Sequence, residues 1–393
     1  MTSGGGFARP RTHPQRERPV MTSVPVPAAV ELGDLAASSV RLIASLQHES
    51  GAYPASPTFS AYAGYCWLRD GSFIADAMSA AGETASASRF FAWCAAVIDS
   101  QAGVIGRVVS TRANGGEPDF AAMPPTRFTL EGEVGADAWW DFQTDGYGTW
   151  LWALSEHVRR GGEMDPAWLD SVRLTAAFLV ETWDLPCFDW WEEHDERRHV
   201  STLGCVIIGL ERAVAEGWLP ADEAAQAANA AEAARRLIQA KGLHAGRLTK
   251  WLGGTAVDGS LAAVVAMGLL DTDPDCAERT VAGIREYLLV SGGVHRFTGD
   301  VFYGGGLWPL LTCFLGLAEA RLGDVSAIDE RLAFAESVVT PSGDLPEQVD
   351  LHVLAPDHRA EWLERWGPVA TPLLWSHAMY IRLSLERTTL DRA

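Results

Sequence analysis

Six segments of this chain are apolar around most of their circumference yet carry helical spacing. They are "GSFIADAMSAAG", "GYGTWLWALSEHV", "STLGCVIIGLERAV", "GSLAAVVAMGLL", "GGLWPLLTCFLGLAEA" and "PLLWSHAMYIRLSL". A helix apolar all round has to be enclosed by other elements. Six more segments alternate with them and are apolar on one face only, as in "ADEAAQAANAAEAARRLIQA". Apolar residues recur three and four apart and β-branched runs are few, so the chain reads as all-α. The spacing predicts helices over 29–48, 70–82, 85–102, 144–160, 166–183, 200–216, 221–240, 257–270, 276–290, 306–322, 325–338 and 370–387. Buried helices alternating with half-exposed ones predict two concentric layers, an (α/α)6 barrel of six helical hairpins. Residues 29–393 are expected to form that one domain. Residues 1–28 are rich in Gly, Pro and Arg and contain no apolar h-region, so a disordered tail without a secretory signal is expected. Met21 is an alternative start.

In such a barrel the loops before the inner helices open at one end. In order they hold "GYCWLRDG", "WWDFQTDG", "FDWWEEHDERRH", "RLTKWLGGTAVDG", "GGVHRFTGDVFYGGG" and "SGDLPEQVD". Asp70, Asp145, Glu192, Trp251, Arg296 and Glu347 mark them, and aromatic residues accompany polar ones throughout. Loops on a rigid scaffold are where function concentrates, and six of this composition would line a pocket.

Each loop also has a plainer reading. Asp70 and Asp145 stand where a helix N-cap would, although Arg69 beside Asp70 could make a donor–acceptor pair for hydroxyl groups, with Trp67 as a stacking face. Trp139 and Trp140 are adjacent, so both cannot easily enter one core. In "WWEEH", Glu192 and Glu193 could be an acidic helix start favoured by the dipole. Alternatively, burial against Trp190 and Trp191 would raise one carboxyl's pKa and a second carboxylate would raise it further, which suits a proton donor. Glu347, in "LPEQVD", is a second loop carboxylate behind a stiffening Pro346.

Composition narrows the function class. Sixteen tryptophans supply many flat faces with an N–H donor, the surface that sugar rings use, or else a large aromatic core. A net charge of −20 disfavours nucleic acid and anionic membranes as partners, and no apolar run reaches the roughly 18 residues of a membrane span. The six cysteines are scattered, with no CxxC, and read as free thiols of a reducing, cytoplasmic compartment. No phosphate loop, HExxH or G-x-S-x-G motif occurs, and no metal or cofactor is expected.

With "YCWLRDGSF", "DFQTDGYGTWLWAL", "WWEEHDERRHVSTLG", "HRFTGDVFYGGGLWP" and "LPEQVD…PLLWSHA" in order over residues 62–380, the chain resembles glycoside hydrolase family 15, the glucoamylase-like enzymes. The resemblance implies the same (α/α)6 barrel and inverting hydrolysis of α-glucosidic bonds from the non-reducing end. It implies that Glu192 is the general acid and Glu347 the general base, their carboxyl groups roughly 6.5–9.5 Å apart. It further implies that Arg69 and Asp70 hold the terminal glucose, with Trp67, Trp139, Glu193 and Arg296 as further contacts. Asp145 is expected among the binding residues because its loop repeats the arrangement of tryptophans, a polar pair and glycine. The short tail leaves no room for the N-terminal β-sandwich of many bacterial members. A small enzyme for short oligosaccharides, of the isomaltose glucohydrolase type, is therefore expected, with glucose as product. A trehalase-type hydrolase, and an epimerase or uronyl hydrolase on the same barrel using a histidine such as His295, are the enzymatic alternatives. A non-catalytic carbohydrate-binding protein is the third.

Overall fold

The computed structural model describes Met1, residues 32–137, Trp139 and residues 142–390. Apart from Met1, the expected tail lies outside the described residues, as does Trp140. Fourteen α-helices occur among them. They are α1 (Asp34–Leu46), α2 (Leu68–Ala80), α3 (Thr84–Ser100), α4 (Ala102–Ala113), α5 (Asp145–Arg159), α6 (Leu169–Thr182) and α7 (Val200–Ala215). The remainder are α8 (Ala221–Lys241), α9 (Ser260–Ala266), α10 (Pro274–Leu288), α11 (Pro309–Arg321), α12 (Ser326–Ser337), α13 (Arg359–Trp366) and α14 (Leu374–Leu390).

Helices α2, α5, α7, α9, α11 and α14 touch in that order, and α14 returns to α2, closing a ring. These are the six segments that are apolar all round: α2 is buried from Leu68 to Ser79 and α7 from Val200 to Leu210. Helices α1, α3, α6, α8, α10 and α12 bury one face each and form the outer layer, so the fold is an (α/α)6 barrel. In α8, for example, Ala227, Ala230, Ala231, Ala234 and Ile238 make the inward stripe, at the three- and four-residue spacing that one helix face requires.

Two helices fall outside the twelve expected. Helix α4 follows α3 after a turn at Gln101, and its valines and glycines are poor helix formers. Helix α13 is only eight residues long, has no buried residue and carries charge at half its positions, so no long apolar stripe marks it. Three two-stranded antiparallel ladders occur among the described residues. The one that matters here pairs β1 (Tyr65–Trp67) with β2 (Arg127–Thr129) and sets Trp67 opposite Arg127.

Inner helices α5 and α7 cross at glycine contacts. A Cβ on Gly148 would lie 2.4 Å from the Cys205 carbonyl oxygen, and one on Gly209 would lie 2.4 Å from that of Gly148. Both obstacles are backbone, so the helices would have to separate. Gly148→Ala is expected to destabilise by about 1–3 kcal/mol, read as a lower thermal midpoint. An unchanged midpoint would mean that the crossing tolerates a wider spacing.

The six cysteines are all buried and free. No helix among the described residues is long and apolar enough to cross a membrane.

Candidate active site

Loops and starts of the inner helices converge on a cavity of about 210 Å³. Trp67, Arg69 and Asp70 reach it from the start of α2, and Trp139 from the loop between β2 and α5. Trp190, Trp191, Glu192 and Glu193 come from the loop before α7. Arg296, Phe302 and Trp308 precede α11, while Glu347, Trp362, Trp366 and Trp375 lie on the approach to α14 and in its first turn. The cavity therefore gathers Glu192, Glu347 and six of the seven expected binding residues. The seventh, Asp145, is fully buried behind Arg69 and does not reach the wall. Trp251 is also absent from the wall: it bridges to His199 and packs beside His194.

Neither aspartate occupies an N-cap position. Trp67 and Thr144 hold those places, which puts Asp70 and Asp145 inside the first turns. Arg69 is 3% exposed and donates from Nη1 to Asp145 Oδ1 at 3.0 Å and to Gln143 Oε1 at 2.7 Å. Its Nε lies 3.6 Å from Asp70 Oδ2. Burial pushes Asp70 up to about 7 against the pull of Arg69. Trp190 and Trp375 flank the guanidinium, their centroids 6.0 and 5.7 Å away. Arg69 Nε, Asp70 Oδ2 and Glu347 Oε2 are all buried without a hydrogen bond. Orphaned buried polar atoms are rare, and with the Nε1 atoms of Trp190, Trp308 and Trp375 six of them lie on residues lining this one cavity.

Glu192 does not start a helix. It sits in a turn well ahead of α7, with its backbone at φ +62°, and His194 follows at φ +57°. Left-handed conformations at non-glycine residues persist only when the surroundings enforce them. Asp189 does so here: its Oδ1 accepts the backbone N–H groups of Trp191 and Glu193, both at 2.9 Å. Asp189 Oδ2 accepts from Lys250 Nζ at 3.0 Å, and Lys250 also donates to Asp258 Oδ2 at 2.5 Å. Asp258 in turn accepts from Trp191 Nε1 at 3.0 Å. Lys250 holds Asp189 below the usual carboxylate range despite burial, which acts the other way.

Three N–H groups converge on Glu192 Oε1: Trp67 Nε1 at 2.8 Å, Trp139 Nε1 at 2.9 Å and Gln143 Nε2 at 3.1 Å. The tryptophans that bond this carboxylate thus come from other loops. Of its own neighbours, Trp190 packs into the core against Phe73 and Trp375, and Trp191 against Trp308. Arg127 positions Trp139 by lying between it and Tyr65, 3.8 Å from each ring centroid.

Glu347 Oε1 accepts from Tyr62 Oη at 2.9 Å. Burial pushes its carboxyl up to about 8, opposed by the Tyr62 bond and Arg296. Arg296 is clamped by Asp300, donating from Nε at 2.8 Å, and reaches Glu193 Oε1 at 3.3 Å. Burial also raises Glu193, with Arg296 opposing. His295 faces away from the cavity, its Nδ1 against the Gly305 and Gly306 carbonyls. No group of three or more metal-ligating side chains occurs among the described residues.

Sequence reasoning did not single out Tyr62, Gln143, Asp189, Lys250, Asp258 or Asp300. Asp300 sits four residues after Arg296, and Asp189 directly before "WWEE"; that proximity was the only local signal. Tyr62 and Gln143 act across 285 and 49 residues, a relation no local pattern carries.

A helical barrel whose aromatic pocket holds two carboxylates from separate loops, beside a buried arginine–aspartate pair, defines a glycoside hydrolase. The profile of "Glycosyl hydrolases family 15" matches residues 30–300, and the chain belongs to that family. It is 49% identical over 367 residues to the isomaltose glucohydrolase of Kribbella flavida, an alignment covering 92% of this chain and 94% of that one. A solved structure of a substituted glycosidase in complex with glucose superposes with a TM-score of 0.87 at 47% identity, over 90% of this chain and 96% of the other. A bacterial glucoamylase complexed with acarbose shares the fold at TM-score 0.69 and 19% identity, over 91% of this chain and 56% of that one.

Proposed function

We propose that this chain is an inverting exo-glucohydrolase that releases β-glucose from the non-reducing end of short α-gluco-oligosaccharides, with α-1,6 linkages preferred to α-1,4. The observation that carries this reading is the pairing of Glu192 and Glu347 on one cavity whose inner wall is the buried set Arg69, Asp70, Trp190 and Trp375. A pocket with a buried floor admits a chain end, not a chain interior. The 49% identity to an isomaltose glucohydrolase supports the linkage preference.

In this reading the terminal glucose fills the floor. Arg69 Nε and Asp70 Oδ2 bond its hydroxyls, which orients the ring before reaction, and Asp145 acts behind them by holding Arg69. Glu192 protonates the glycosidic oxygen as the bond to the anomeric carbon breaks. Glu347 takes a proton from a water attacking the opposite face, so the configuration inverts. Glu193 and Arg296 bound the site beside the acid, and Trp67 and Trp139 wall it and hold Glu192. Hydrolysis consumes only water and calls for no cofactor.

Glucose release from isomaltose, maltose, trehalose, kojibiose and nigerose tests the substrate class, and NMR of the first-formed anomer tests inversion. α-Glucose appearing first, or no glucose from any of the five, would defeat the reading.

A pH prediction follows from Glu347. A base must be ionised, and burial holds this carboxyl up to about 8 in the free pocket. The kcat/KM value reports the free enzyme's acid and base together, so one limb of its pH profile should lie near this value, well above the usual carboxylate range. Tyr62 lowers the Glu347 pKa through its hydrogen bond. Tyr62→Phe should therefore move this limb to higher pH, and an unmoved limb would assign it to another group.

A further inference from the structure

Helix α13 stands outside both rings of the barrel. It packs on the Phe302–Gly304 turn and the Pro356–His358 turn, and none of its residues is buried. Trp362 and Trp366 lie four residues apart, hence on one face, and both are half-buried and line the cavity. Trp362 meets the Phe302 ring edge-on at 4.9 Å and stacks on Tyr303 at 6.2 Å. Trp366 lies 6.2 Å from Phe59. Tyr303, itself at φ +49°, donates its hydroxyl to the Gly367 carbonyl at 2.8 Å, tying the end of α13 to the wall.

The depth of these two indoles is informative. Arg69, Asp70, Trp190 and Trp375 are 3, 8, 2 and 4% exposed and form the floor. Trp362 and Trp366 are half-exposed and so belong to the mouth. Apolar surface facing water is unfavourable, and two half-exposed indoles lining one cavity fit an occupant with an apolar side of its own. The C–H face of a pyranose has that character. We propose that α13 binds the sugar on the leaving side of the scissile bond, with Trp362 and Trp366 as its aromatic wall. The inference rests on the proposed function: when the non-reducing ring fills the floor, the next ring must lie at the mouth. It assigns substrate selection beyond the first glucose to an element outside the twelve barrel helices.

The test compares isomaltose with α-glucosyl fluoride, whose leaving group is a halide ion and has no ring to bind. Trp362→Ala and Trp366→Ala are assayed on both, together with Phe at each position as variants that keep a ring and the packing of α13. The kcat/KM for isomaltose should fall about tenfold further than that for the fluoride, the size expected for one aromatic contact. Phenylalanine should restore most of the difference. Equal losses on the two substrates, or no loss on either, would overturn the proposal. If the unsubstituted chain hydrolyses neither compound, it is the proposed function that fails. Calorimetric binding of isomaltose and of glucose then decides on α13: a larger loss of affinity for isomaltose in the alanine variants supports it, and equal changes overturn it.

Discussion

Glu192→Gln is expected to abolish isomaltose hydrolysis while sparing much of the turnover of α-glucosyl fluoride, whereas Glu347→Gln is expected to abolish both. Fluoride departs without needing a proton, so loss of the acid matters little for that substrate. Water must still be deprotonated whatever the leaving group, so loss of the base affects both. A positioned acid or base contributes typically about 10²–10⁴-fold, and losses of at least that size are expected. Glutamine keeps the shape of each side chain and can still accept from Trp67, Trp139 and Gln143 at position 192 or from Tyr62 at position 347. Retained thermal midpoints would confirm that chemistry, not folding, was lost. The opposite pattern, with fluoride turnover surviving only in Glu347→Gln, would exchange the two roles.

Lys250→Met should cost about 3–5 kcal/mol of stability, because it removes the cation shared by two buried carboxylates. Asp189 and Asp258 are 2% and 1% exposed, and both accept from Lys250. Left without it, two like charges would face each other away from water. The catalytic consequence follows from what Asp189 holds: its Oδ1 anchors the turn in which Glu192 adopts φ +62°. The variant should show both a lower thermal midpoint and a lower kcat on isomaltose. A change below about 1 kcal/mol would mean that the Trp191, Ser260 and backbone donors stabilise the pair without the lysine.

The two loop carboxylates were legible in the chain, but their electrostatics only in part. The "WWEE" stretch suggested that Trp190 and Trp191 would raise a neighbouring glutamate's pKa. In the folded protein burial does raise Glu193, but the larger upward shifts fall on Glu347 and Asp70, pushed up by burial to about 8 and about 7. Glu192 instead receives indole N–H groups from loops 125 and 53 residues away. Asp145 shows the same gap in another form. Its place in a pocket loop suggested a hydroxyl ligand, yet it stands one layer back and fixes Arg69.

What the amino-acid order determined by itself was the barrel. Whether a helix is apolar on one face or all round is written in residues three and four apart, and six enclosed helices alternating with six half-exposed ones leave few ways to bury that surface other than ring within ring. It also placed the aromatic and charged residues in the loops at one end. Only the tertiary structure decided which of those side chains share a cavity, which stand behind it, and which carry shifted protons. It alone placed Tyr62 on Glu347, Lys250 between Asp189 and Asp258, and the two indoles of α13 at the mouth. Helical periodicity is a property of neighbours along the chain. Hydrogen bonding and desolvation depend on neighbours in space, and across a closed ring those are separated by up to several hundred residues.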